Sequence, residues 1–355
     1  MTMEHGGKVA EYFALYGEMP LDYSANLNPL GMPESVRQAA IDAMQTAEHY
    51  PDCHCRSLTK ALEPLEGVQA FHIVWGNGAA DLIYRLFFAR KPRRVVMPAP
   101  TFSEYAQAAS WVDCEICRHG LTAENGYALT EAFLQDLTPE TDMVFVCQPN
   151  NPTGVLTERT LLEKILRRCE EIDAILVVDE CFLPFVEHAE DYTMGQFLTS
   201  EHLVILKAFT KTYAMAGLRL GYCLCSNSLS EQLRACGQPW AVSSVAQAAG
   251  LAAMREPDYP QKALALLRDE KPFLVEGLRA LGLTVTDPAA NFVLFEGPPG
   301  LVEALYHNGI LLRSCANFPA LTDRHYRACI RTRAENERFL EAMALAIQTV
   351  THQPE

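Results

Sequence analysis

The sequence predicts an α/β fold, with a mostly parallel central sheet covered by helices on both faces and a smaller α+β domain attached. Two observations predict the sheet. Short continuous runs of β-branched and other apolar residues lie between turn residues, as strands buried on both faces require. Amphipathic helical segments separate several of these runs, and strands alternating with helices build parallel sheets. A third observation predicts the appendage, because the pattern changes from about Glu256 onward. With 355 residues the chain is long enough to bury both cores.

Strands are predicted over 95–97, 143–146, 174–178, 203–206 and 218–225. A helix is predicted over 158–171, where Leu161, Leu162, Ile165 and Leu166 share one face. After Glu256 come a long helix, strands near 284–286 and 291–295, and a closing helix beyond Ala334. These patterns predict an N-terminal segment over 1–45 that packs with the small domain. The large domain is expected over 46–255 and the small one over 256–355.

Composition narrows the function classes. Lys and Arg total 29 against 44 Asp and Glu, a formal net charge of −15. Such a chain lacks the basic surface that nonspecific nucleic-acid or anionic-membrane binding needs. The opening Met1-Thr2-Met3-Glu4-His5-Gly6-Gly7 has no signal-peptide pattern, and no apolar run reaches the roughly 18 residues of a membrane span. A soluble, cytoplasmic protein is expected. The 12 cysteines include Cys53-His54-Cys55, Cys114-Glu115-Ile116-Cys117 and Cys223-Leu224-Cys225. These spacings are poor zinc chelates, so reduced thiols and no metal are expected.

Polar residues cluster just after the predicted strands, where ligands bind in open α/β sheets. The run over 143–146 leads into Gln148-Pro149-Asn150-Asn151-Pro152-Thr153-Gly154, a rigid turn that presents an amide. The next strand ends in Asp179-Glu180, and a carboxylate after buried β-formers needs a partner. The third ends in Lys207-Ala208-Phe209-Thr210-Lys211-Thr212, followed by Arg219 in Ala216-Gly217-Leu218-Arg219-Leu220-Gly221. Upstream, Trp75-Gly76-Asn77-Gly78-Ala79-Ala80-Asp81 is a glycine turn before a helix, suited to holding a phosphate by backbone N–H groups. Singly these are a turn, a cap, a surface lysine and a short glycine motif; their order and spacing together separate them from chance.

The ordered set resembles the fold-type I pyridoxal-phosphate (PLP) enzymes, in particular the class I/II aminotransferase group, across nearly the whole chain. The resemblance implies the PLP-dependent transferase-like fold. It implies that Lys211 bonds covalently to the aldehyde of pyridoxal 5'-phosphate, that Asp179 pairs with its ring nitrogen and that Asn151 bonds its ring hydroxyl. Arg219, Asn77, Gly78, Ala79 and Thr210 would hold the cofactor phosphate, joined by Tyr50 from a second subunit. Tyr105, in Pro100-Thr101-Phe102-Ser103-Glu104-Tyr105, would stack on the ring, with Phe102 as the alternative register. Two departures stand out: Asp179-Glu180-Cys181-Phe182 lacks the phenol of the Asp-Glu-Ala-Tyr found in many relatives, and Ala208 replaces a frequent phosphate-binding hydroxyl.

Within the group the chain is most similar to the threonine-phosphate decarboxylase branch of cobalamin biosynthesis, itself near the histidinol-phosphate aminotransferases. His5-Gly6-Gly7, 24–31, 313–318 and 326–331 carry this similarity. It implies that His5, Gly6, Asn26, Asn151 and Arg313 contact substrate and that Arg327 holds its α-carboxylate. Charge supports an anionic substrate independently. In a strongly acidic chain, Arg313, Arg324, Arg327, Arg331 and Arg333 crowd one stretch, and guanidinium suits phosphate and carboxylate. Arg333 and Arg331 also read as a solvated helix face beside Glu335 and Glu337. Expected partners are a small phosphorylated amino acid and a second copy of the chain, with no nucleic acid and no membrane. Decarboxylation and transamination use the same catalytic groups, so the motifs leave both open. A non-catalytic PLP-binding regulator is disfavoured, because only about twenty residues precede the first matching motif, too few for a helix-turn-helix domain.

Overall fold

The apolar runs assemble, in the computed structural model describing residues 6–352, into one seven-stranded sheet. Its strands are β1 (Ile73–Asn77), β2 (Arg94–Ala99), β3 (Glu115–Gly120), β4 (Met143–Cys147), β5 (Ile175–Asp179), β6 (Leu203–Ala208) and β7 (Leu220–Cys225). They lie in the order β1-β7-β6-β5-β4-β2-β3, parallel throughout except for β7, which runs against both β1 and β6. Helices Arg159–Ile172 and Ser244–Ala253 cover one face, and Gly78–Arg90, Ser103–Ser110 and Asn227–Cys236 cover the other. The central strands are buried on both sides and therefore read as unbroken apolar runs. The edge strand β3 is half exposed, with Glu115, Arg118 and His119 among its six residues, so it carries no unbroken apolar run. β7 begins at Leu220, two residues later than the pattern predicts, because Arg219 sits in the left-handed region at φ 58°.

The small domain holds β8 (Thr284–Val285), β9 (Phe292–Glu296), β10 (Arg313–Ser314) and β11 (His325–Cys329), an antiparallel sheet in the order β10-β11-β9-β8. Helices Tyr259–Ala280 and Arg333–Thr351 close its core. The predicted N-terminal unit over 1–45 divides between the two domains. Leu21–Asp22 pairs in parallel with Ile310–Leu311, and the Tyr23 ring stacks on Phe339 at 4.0 Å, within the small domain. Helix Glu34–Ala43 instead buries Val36 and Ala40 in the large-domain core, against Ser244–Ala253. The chain thus crosses from one domain to the other between these elements, lining the cleft. No helix among the described residues is long and apolar enough to cross a membrane, and all twelve cysteines are unpaired.

Candidate active site

Strands β4 and β5 end level, with Cys147 facing Asp179, and β6 ends two residues beyond Leu206, which faces Asp179. Their following loops therefore meet at one place. After β4, the Gln148 side chain clamps Thr157, donating to its carbonyl at 2.6 Å and accepting its N–H at 2.8 Å. Asn150 is used up inside the loop, donating to the Pro100 carbonyl and to Thr153 and accepting from Thr101. That bracing leaves the adjacent Asn151 facing a cavity of about 400 Å³ between the domains.

Asp179 opens on the same cavity with each carboxylate oxygen anchored. Oδ2 accepts the Tyr105 hydroxyl at 2.7 Å and Oδ1 accepts the Cys181 N–H at 3.0 Å. Lys211 lies on the single helical turn Phe209–Thr212 that follows β6, and Asn28 fixes the turn through the Lys211 and Thr212 carbonyls. Enclosure pushes the Lys211 amine down to about 8, helped by the Arg327 and Arg219 guanidiniums and opposed by Cys181 and Asp179. Its Nζ stands 5.7 Å from the Phe182 ring centre.

A second group of donors lines the cavity at the start of helix Gly78–Arg90. Ala79 and Ala80 line the cavity in its first turn, where backbone N–H groups have no helical acceptor. Gly78 adopts φ 76°, and the Arg219 guanidinium occupies the space a Cβ there would fill. Thr210, Ala208 and Arg219 complete this side. The arrangement is an anion cradle of N–H groups, a hydroxyl and a guanidinium.

The small domain supplies two arginines from opposite sides of a ladder, because Arg313 of β10 faces Arg327 of β11 in register. Both are largely buried. Arg327 donates to the Asn151 side-chain oxygen and to the Ser24 carbonyl, both neutral acceptors, and its Nε has no partner among the described residues. Burial pulls its guanidinium down to about 10, with neighbouring Arg313 adding to the effect and the Cys315 thiol opposing it. Arg313 donates to Asn317 and lies over the Phe318 ring. Asn26 lines the same wall, 2% exposed, and among the described residues neither its amide nitrogen nor its oxygen has a hydrogen-bond partner. Buried amides are seldom left so, and a ligand with polar groups would satisfy this one.

The structure thus gathers Lys211, Asp179, Asn151, Arg219, Ala79, Thr210, Gly6, Asn26, Arg313 and Arg327 around one cavity, with Gly78 directly behind Arg219. Two expectations, Tyr105 and Asn77, fall outside this cavity. Tyr105 does not line the cavity; it is fully buried beneath Asp179, and Phe102 lines the wall in its place. Helix Ser103–Ser110 explains the exchange, since Phe102 precedes it in extended backbone while Tyr105 is turned toward the sheet and stacks on Phe145. Asn77 is exposed, its N–H engaged by Asp81, and it does not line the cavity. Tyr50 is 79% exposed and stacks on Trp240, outside the cavity. His5 lies outside the described residues. The motif reading passed over Cys147, Cys181 and Phe318 as cavity walls; their only signal was adjacency to strand ends and to Arg313.

This fold and site define an aminotransferase-like enzyme. A model of the family described as aminotransferase class I and II matches residues 18–343, and the chain belongs to that family. It is 39% identical to a threonine-phosphate decarboxylase of Salmonella typhimurium, over 96% of this chain and 95% of that one. It is 33% identical to a histidinol-phosphate aminotransferase of Symbiobacterium thermophilum, over 91% of this chain and 89% of that one. The crystal structure of the histidinol-phosphate aminotransferase from Clostridium acetobutylicum superposes with a TM-score of 0.85 at 27% identity, covering 93% of this chain and 99% of that one. The enzyme is PLP-dependent, as its family is. The residues fit that cofactor: an amine of lowered basicity, a braced carboxylate, and an anion cradle in which a Cβ at Gly78 would collide.

Proposed function

We propose that the chain decarboxylates L-threonine O-3-phosphate to (R)-1-amino-2-propanol O-2-phosphate in cobalamin biosynthesis, as a cytoplasmic homodimer. One observation carries the substrate class: two neighbouring, largely buried guanidiniums and an unpartnered amide face a cavity that already contains a separate phosphate cradle. A substrate with a carboxylate and a phosphate of its own answers all three.

In this reading Lys211, Asp179, Asn151, Arg219, Ala79, Thr210 and the Gly78 turn hold pyridoxal phosphate, with Phe102 against its ring. When bound, that cofactor supplies the sink for the electron pair left behind as carbon dioxide departs. The protein's own part is orientation and proton handling. Arg327 grips the α-carboxylate, while Arg313, Asn26, Gly6 and His5 take the phosphate end. Holding both ends would fix which Cα bond of the substrate is presented for cleavage. Asp179 keeps the ring nitrogen's proton in place. Lys211 Nζ, close to neutrality in basicity, carries a proton to or from the reacting carbon.

Tyr50 supports the dimer. It is exposed beside Trp240 and does not line its own cavity, as expected of a residue that reaches a second subunit's cradle. Incubation with O-phospho-threonine tests the reaction. Release of carbon dioxide and the amino alcohol phosphate without any 2-oxo acid is expected. Strict dependence on 2-oxoglutarate, with histidinol phosphate preferred, would establish transamination in its place.

A further inference from the structure

The Tyr105 hydroxyl is a polar group in the middle of an apolar layer. Its ring is fully buried, stacks on Phe145 of β4 with centroids 4.6 Å apart, and meets the Phe102 ring edge-on at 5.5 Å. Val74, Leu82, Phe87 and Met97 belong to the same cluster. Phenylalanine would pack there without burying a hydroxyl, so the hydroxyl calls for a reason. The reason on view is its short hydrogen bond to Asp179 Oδ2, at 2.7 Å. Burial beside that carboxylate drives the phenol far above its ordinary range, so it stays a donor at every working pH.

We propose that Tyr105 is a positioning residue, which anchors Asp179 Oδ2 so that the carboxylate stays aimed at the cofactor's ring nitrogen. This rests on the assignment of Asp179 to that nitrogen. Two fixed donors, the phenol on Oδ2 and the Cys181 N–H on Oδ1, leave the carboxylate no freedom to turn. The aromatic that lines the cavity, Phe102, and the aromatic that braces the carboxylate, Tyr105, are thus three residues apart and divide the two tasks. Cys147, Cys181 and Lys211 are the other titratable groups facing this carboxylate, with Arg219 and Arg327 beyond Lys211.

The test uses the PLP-loaded protein and its Tyr105→Phe, Asp179→Asn and doubly substituted forms. Three quantities are read: PLP affinity by absorbance titration, the pH midpoint of the visible band of the lysine-bound cofactor, and the apo-protein Tm. Tyr105→Phe keeps the ring and should leave Tm within a few degrees. It should weaken PLP about tenfold, the scale of losing a hydrogen bond to a charged group. It should also raise the band midpoint, because a ring nitrogen less firmly protonated withdraws less electron density. Asp179→Asn should move both quantities further, and adding Tyr105→Phe to it should change neither. Wild-type values in Tyr105→Phe beside altered values in Asp179→Asn would overturn the proposal and leave the Asp179 assignment standing. Unaltered values in Asp179→Asn would overturn that assignment itself. Equal shifts from Tyr105→Phe in both backgrounds would show that the phenol does not act through Asp179. Should Tyr105→Phe fail to fold, 3-fluorotyrosine at position 105, nearly isosteric and a stronger donor, should lower the midpoint; an unmoved midpoint would refute the role.

Discussion

At the scale of the residue, the proposed function turns on the Lys211 amine. An amine attacks an aldehyde only as the free base, and enclosure with two guanidiniums nearby lowers this amine from the ordinary lysine range to about 8. The free-base fraction at neutral pH rises by about two orders of magnitude as a result. The sign follows directly: protonated and unreactive below the midpoint, reactive above it. Covalent capture of PLP by apo-protein, followed at the visible band, should therefore accelerate from pH 6 to 8 and level off above about 8.5. A rate still climbing steeply between pH 9 and 10.5 would mean that the amine keeps an ordinary lysine's basicity. Lys211 and Asp179 were legible in the sequence because Asp179 ends one run of continuous apolar residues, Lys211 lies a few residues past another, and the two stand at a set spacing. Tyr105 was legible as a residue but not in its role. Motif spacing allows Phe102 or Tyr105 to meet the cofactor, and only the start of the helix at Ser103 turns one to the cavity and the other to the core.

At the scale of the element, the start of helix Gly78–Arg90 is where backbone geometry meets the proposed cofactor cradle. Gly78 needs φ 76° and needs no Cβ, because Arg219 fills that space. Gly126 needs a similar φ of 65° but has nothing within 4 Å of a built Cβ. Alanine at either position should cost stability on the order of 1 kcal/mol from the left-handed backbone. Only Gly78→Ala should also displace Arg219 and weaken PLP binding by tenfold or more, read by titration beside Tm. Equal PLP affinities in the two variants would remove Arg219 and the helix start from the cradle. The glycine turn itself was visible in the sequence, whereas its contact with Arg219 joins residues over a hundred positions apart. No local pattern records such a contact.

At the scale of the whole molecule, the cavity is assembled from both domains and from the N-terminal segment, which supplies Gly6, Ser24 and Asn26. The proposed dimer adds a further requirement. Tyr50 and Trp240 form an exposed aromatic pair with centroids 4.5 Å apart, next to a cavity of about 630 Å³ lined by Arg56, Arg85, Arg234 and Trp240. Trp240→Asp should shift sedimentation from dimer toward monomer and lower PLP affinity together, since Tyr50 of the partner subunit would be withdrawn. A dimer with unchanged affinity would dissociate this surface from assembly. By itself the sequence determined the α/β class, the central strands, the lysine, the carboxylate and the concentration of arginines, because burial on both faces and strand-end chemistry leave local patterns. Only the tertiary structure decided that Arg313 faces Arg327, that Tyr105 braces Asp179 and that residues 34–43 join the large domain. Those facts depend on register and packing between distant segments, which no stretch of the chain encodes alone.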